Sequence, residues 1–107
     1  MSTAELTRMQ KVEVVVKGDD IPAVRDLFEQ AGVTGWTSLS NVSGLGHSGF
    51  HQGRLLFNDK SALSMLITVV PEERLAPLVT GLRALLDERA GVMFITETSV
   101  SRPEYFR

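Results

Sequence analysis

No cysteine occurs in these 107 residues. A disulfide framework, a thiolate nucleophile and a cysteine-ligated zinc or iron site are therefore excluded, and the composition suits a reducing compartment. A surplus of positive charge is also lacking: 11 Lys and Arg stand against 13 Asp and Glu, for a formal net charge of −2. Binding to nucleic acid or to an anionic membrane surface usually shows as a basic excess, so neither is expected. The most apolar stretch, near Leu63 to Val70, falls far short of the roughly 20 residues that span a bilayer. Met1 to Gln10 contains Glu5 and Arg8 and no apolar run, so it reads as neither a signal peptide nor a membrane anchor. A cytoplasmic protein is expected. Repeats of solenoid length and low-complexity runs are missing too.

What is present is ordinary for a globular chain: 43% hydrophobic and 22% charged residues, enough for one core and one domain over residues 1–107. Lys11 to Lys17 places Val12, Val14 and Val16 on one face and reads as a strand. After Gly18 the spacing changes to threes and fours: Ile21, Val24, Leu27 or Phe28, and Ala31 form one helical stripe, with Pro22 in the first turn and Asp20 as the expected N-cap. Gly32 is the expected left-handed C-terminal cap. Gly35 to Val42 reads as a weaker strand, and Trp36, the single tryptophan, is expected to pack in the core.

Four glycines between Gly44 and Gly53 mark a flexible or tightly turned loop that holds both histidines. Ser61 to Val70 is the strongest strand, with Leu63, Met65, Ile67 and Val69 on one face and Ser64, Leu66, Thr68 and Val70 on the other. A second helix carries Leu75, Leu78, Val79, Leu82, Leu85 and Leu86. Its start is ambiguous, because Pro77 is harmless only if the helix begins near Arg74. Val92 to Val100 is a last strand. The order β-α-β-β-α-β predicts a ferredoxin-like α+β fold, an antiparallel sheet with two helices on one face. Leu66 and Val70 are expected on the other sheet face, covered by a second subunit.

Few residues suggest chemistry. Gly44-Leu45-Gly46-His47-Ser48-Gly49 matches G-x-G-x-x-G, but a dinucleotide site needs a helix to open after it, and Phe50 to Arg54 shows no helical stripe. Glycines serving turns in an exposed loop are the plain alternative. Between these lies a nest of backbone N–H groups for phosphate, with His47, His51 and Arg54 adding donors or charge for a small anion. His47 and His51 are four apart on a loop, and a metal site there needs further ligands, so no metal is expected. Ser48 has no strained elbow and no acid partner for a histidine base. Nothing requires an enzyme. Arg102 is either a solvated charge or a phosphate clamp.

Two segments carry a resemblance. Gly32-Val33-Thr34-Gly35-Trp36-Thr37 and Val42-Ser43-Gly44-Leu45-Gly46 resemble the G-[IV]-x-G-[ML]-T and V-x-G-[FY]-G segments of the PII superfamily of trimeric signalling proteins. Val14 to Lys17, Asp19-Asp20 and Val24-Arg25 are similar to its first strand and helix. The resemblance runs from about Lys11 to Arg102. It implies a homotrimer that binds an adenine nucleotide in clefts between subunits. Thr37 would hold the adenine, and Gly44, Leu45 and Gly46 would border base and phosphates. His47, Arg89 and Arg102 would complete the nucleotide set. Residues 44–60 would form the effector loop called the T-loop, residues 1–10 an N-terminal extension and residues 102–107 a C-terminal tail.

The chain also departs from that pattern. His47 and Ser48 replace an arginine and a glutamine, the modified tyrosine has no counterpart, and Asp87 to Gly91 stands where a phosphate-cradling G-x-G-K loop is usual. The chain thus resembles PII-like proteins of inorganic-carbon uptake and carboxysomes. That implies ADP or AMP as ligand, bicarbonate as co-effector beside His47, His51 and Arg54, no resident cofactor, and a protein target such as a transporter. A CutA-like metal-responsive trimer and a small ferredoxin-like enzyme are the competing readings.

Overall fold

The computed structural model describes residues 5–46, 49–51 and 62–107. The alternating valines form β1, Thr7–Lys17, which starts four residues earlier than the pattern predicts. The early start has a physical cause, since Thr7 to Gln10 pair with Glu97 to Val100 along the last strand. A 3-10 turn, Gly18–Asp20, leads into helix α1, Ile21–Gln30. Strand β2 is Trp36–Val42. A short hairpin of β3, Gly44–Gly46, and β4, Gly49–His51, follows. Strand β5 is Leu63–Val70, helix α2 is Glu72–Glu88 and strand β6 is Gly91–Val100. A final 3-10 turn spans Pro103–Tyr105.

The strands order as β2-β5-β1-β6, every neighbouring pair antiparallel, the ferredoxin-like arrangement expected of the sequence. Val12, Val14 and Val16 of β1 pair with Thr68, Leu66 and Ser64 of β5, so these side chains share one face. On that face they meet Val24 and Phe28 of α1 and Leu78 and Leu82 of α2 in one buried cluster with Val70. Each such aliphatic or aromatic side chain contributes about 1.5–3 kcal/mol by leaving water. The buried hydroxyl of Thr68 donates to the Gly35 carbonyl, which satisfies it and fixes the entry to β2.

Here the expected faces are reversed. Leu66 and Val70 are fully buried under the helices, and Leu63, Met65, Ile67 and Val69 lie on the opposite, open face. Hydrophobicity alone could not orient this strand, because both of its faces are apolar.

Local chemistry explains the element ends. Gly32 has φ +78°; its N–H donates to the Glu29 carbonyl and that of Val33 to the Phe28 carbonyl, the paired bonds of a Schellman cap. Arg74 of α2 adds a bond from Nη1 to the Gly32 carbonyl at 2.9 Å. Helix α2 begins directly after Pro71, so Pro77 lies inside it and leaves the Glu73 carbonyl without its usual i+4 donor. Asp20 precedes α1 but makes no side-chain cap bond; its carboxylate is used elsewhere. Trp36 is 39% exposed rather than in the core.

Gly91 and Gly81 predict contrasting substitutions. A Cβ on Gly91 would lie 2.6 Å from the Val15 carbonyl oxygen, which is backbone, whereas one on Gly81 would meet only the terminal methyl of Leu27 at 2.8 Å. Gly91→Ala should destabilise by about 1–3 kcal/mol, and Gly81→Ala by distinctly less, as read by urea unfolding at matched protein concentration.

Candidate functional site

The candidate ligand residues fall into two groups at opposite ends of the sheet. At the tail end, the cap at Gly32 delivers the chain to β2, where Trp36 pairs with Thr68 and Thr37 with Ile67. The alternation puts Trp36 on the helix side and Thr37, exposed, on the open face beside Ile67. Strand β6 ends at the same end, with Val100 opposite Thr7, and Arg102 follows it. The Arg102 guanidinium donates from Nη1 to the Tyr105 hydroxyl at 3.1 Å and lies 5.7 Å from the centre of that ring. The turn carrying both residues is fastened to the β2 entry: the Thr34 hydroxyl donates to the Tyr105 carbonyl at 2.9 Å. Thr37 and Arg102 thus belong to one end of the molecule.

At the loop end, β2 is interrupted by a bulge between Ser40 and Val42, with Asn41 at φ 60°, a conformation asparagine tolerates better than most residues. The strand then passes into the hairpin, where Gly44 pairs with His51, Leu45 with Phe50 and Gly46 with Gly49. A strand therefore follows the G-x-G-x-x-G match where a dinucleotide fold requires a helix, and that reading is excluded. The far side of the loop is pinned to the same end by the Gly18 N–H, which donates to the Ala62 carbonyl at 2.8 Å.

Arg89 sits nearby, in the connection between α2 and β6. Its Nη1 is 3.8 Å from Oδ1 of Asp20. That carboxylate is 10% exposed while the arginine side chain is 60% exposed, so Asp20 serves as a counter-charge for Arg89 instead of as a helix cap. Of the expected anion set, His51 is placed in β4; His47 and Arg54 lie outside the described residues.

Seven positions separate Thr37 from Gly44, at most about 23 Å at roughly 3.3 Å per residue and less by what the bulge at Asn41 takes up. Within one copy of the chain the two groups therefore face opposite ends of the sheet.

Between α1 and the start of β2 lies a groove of about 430 Å³ lined by Pro22, Arg25, Phe28, Val33 and Trp36 among others. Arg25 stacks over the indole, 5.1 Å from its centre, and shields a tryptophan that the helix packing leaves uncovered. Sequence reasoning missed this stack and the pairing of Tyr105 with Arg102. The signal for the second was there: an arginine, a proline and a tyrosine three residues beyond the arginine are compatible with one tight turn. Among the described residues no group of three or more His, Cys, Asp or Glu is placed to hold a metal ion, and no helix is long and apolar enough to cross a membrane.

The family model described as nitrogen regulatory protein P-II matches residues 9–105. Among solved structures, the chain is similar to CPII, a nitrogen regulatory PII-like protein from Thiomonas intermedia K12, bound to ADP, AMP and bicarbonate. The match has 38% identity and a TM-score of 0.89, over 95% of this chain and 96% of that one. A second structure of CPII, bound to ADP and bicarbonate, matches at 36% identity and a TM-score of 0.85, over 95% and 97%. A PII-like signalling protein from Thermus thermophilus shares the fold, with 16% identity and a TM-score of 0.72 over 95% and 98% of the two chains. No curated protein sequence matches.

The Arg25–Trp36 stack is open to a spectroscopic check. Arg25→Ala should uncover the indole, shift the single-tryptophan emission to the red and raise its quenching by acrylamide, at a stability cost of about 1 kcal/mol or less. Unchanged emission and quenching would show that the guanidinium does not cover the ring in solution.

Proposed function

This chain belongs to the nitrogen regulatory protein P-II family and is a PII-like regulatory protein; from that premise we propose that it binds ADP or AMP in clefts between the subunits of a homotrimer. The observation that carries this reading is the separation of Thr37 and Arg102 from Gly44–Gly46 and Arg89 by most of a strand length. Each copy offers two half-sites, and a cleft is complete only when the tail end of one copy meets the loop end of another. Thr37 and Arg102 then supply one wall, and the Gly44–Gly46 backbone with Arg89 the other. Backbone N–H groups and guanidinium suit a diphosphate.

The open sheet face supports the assembly. Leu39, Val92 and Phe94 are 49%, 43% and 51% exposed there, beside the half-buried Val15, Met65 and Ile67. Apolar surface of this extent, broken on β1 by the Lys11–Glu13 ion pair, favours coverage by another copy.

Bicarbonate is the co-effector in this reading, as CPII structures hold both nucleotide and bicarbonate. The anion would sit at the root of the loop, where His51 stands opposite Gly44 and His47 and Arg54 lie close in sequence. The T-loop at 44–60 would carry the signal to a protein target of carbon uptake or the carboxysome, such as a transporter, in the cytoplasm. The role is binding and regulation, not catalysis.

Calorimetry with ADP and AMP tests the ligand: binding is expected, and bicarbonate should tighten it, with ADP tightening bicarbonate by the same factor. No heat with any adenosine phosphate, with or without bicarbonate, would overturn the reading. A mixing experiment tests the shared cleft. Thr37→Ala and Arg89→Ala chains, each weak alone, should regain wild-type affinity in a fraction of sites when co-assembled, since some clefts then combine two intact walls. Co-assembled trimers that bind no better than either parent would contradict it.

A further inference from the structure

We propose that Tyr105 is a positioning residue of the nucleotide site, holding the Arg102 guanidinium ready for the ligand's phosphate; this rests on the nucleotide reading above. The two candidate phosphate cations differ in their surroundings. Arg89 already faces a carboxylate, that of Asp20 at 3.8 Å, so a phosphate must compete for it. Among the described residues Arg102 has no acidic partner within ion-pair distance. Its contacts are the hydroxyl and the ring of Tyr105, a neutral partner that orients the guanidinium and leaves its charge uncompensated. An arginine held this way keeps full attraction for an anion and loses less side-chain freedom when it binds one.

The tyrosine is itself anchored. Its carbonyl accepts the Thr34 hydroxyl at 2.9 Å. The N–H of Tyr105 donates to the Arg102 carbonyl at 3.1 Å, and that of Phe106 to the Pro103 carbonyl at 2.9 Å. Gly35 lies under this turn, with room for a Cβ only at 3.4 Å from the Tyr105 carbonyl oxygen. The tail therefore fixes Tyr105 against the β2 entry, two residues from the strand position of Thr37. The ring remains 57% exposed, so core packing does not account for its place. Its neighbour is the one basic residue of the tail end that the sequence marks for phosphate.

The test is calorimetry of ADP and of adenosine on single and double variants. Tyr105→Phe, which keeps the ring and removes the hydroxyl, should weaken ADP about three- to tenfold, and Tyr105→Ala about tenfold or more. Adenosine, which has no phosphate, should bind all variants alike, a result that a general loss of structure would not give. In an Arg102→Ala background, Tyr105→Phe should cost nothing further. The proposal is overturned if Tyr105→Phe leaves ADP affinity unchanged or raises it. It is equally overturned if the loss persists without Arg102, or if Arg102→Ala binds ADP as wild type does. If the wild-type chain fails to bind ADP at all, the nucleotide reading falls and this proposal with it; if only the Tyr105 variants behave like wild type, the nucleotide reading survives and this proposal alone fails.

Discussion

The pairing of β1 with β5 at the centre of the sheet is the constraint on which the rest of the molecule depends. Eight residue pairs from Gln10–Val70 to Lys17–Leu63 hold these strands in one register, and Val12, Val14, Val16 and Leu66 between them are wholly buried. A slip by one residue would turn that set to the open face. The same pair sets the distance between the tail end and the loop end. Everything proposed about ligand binding follows from that span, because it separates groups whose chemistry converges on one ligand class.

Local rules are broken close to the ends of this rigid core. Asp20 gives up a helix cap to face Arg89, Asn41 takes a left-handed conformation at the bulge before the loop, and the Tyr105 turn leaves an aromatic ring half in water. A chain whose levels otherwise agree tends to depart from them where function asks for it. Pro77 inside α2 is another departure, and it lies on neither end; nothing in the structure accounts for it.

Much of this fold was legible in the residues. The valine alternation of β1, the three-and-four spacing of α1, the cap at Gly32 and the β-α-β-β-α-β order all stand in the structure, and the family resemblance agrees with the match over residues 9–105. What was not legible depends on tertiary choice. Two apolar faces on β5 leave its orientation undecided until the helices dock. The start of α2 turns on how much strain Pro77 can impose. Trp36 reads as core by size, yet lies half-exposed at a sheet edge with Arg25 stacked over it. For the site, the resemblance proposes Thr37 and Arg102, and Arg89 is offered as a cation where the G-x-G-K loop is missing, but the placing of Thr37 and Arg102 at one end of the sheet and Arg89 at the other needed the fold. The spacing of Arg102 and Tyr105 was compatible with a tight turn, but the hydrogen bonds that fix the tyrosine there leave no periodic trace.

The central claim is that an adenine nucleotide is held between copies of this chain and by no single copy. Native mass spectrometry with ADP measures this directly, since it counts ligands on each oligomer separately. The account predicts trimers carrying up to three ADP and bare monomers in the same spectrum. Monomers that retain ADP would contradict it.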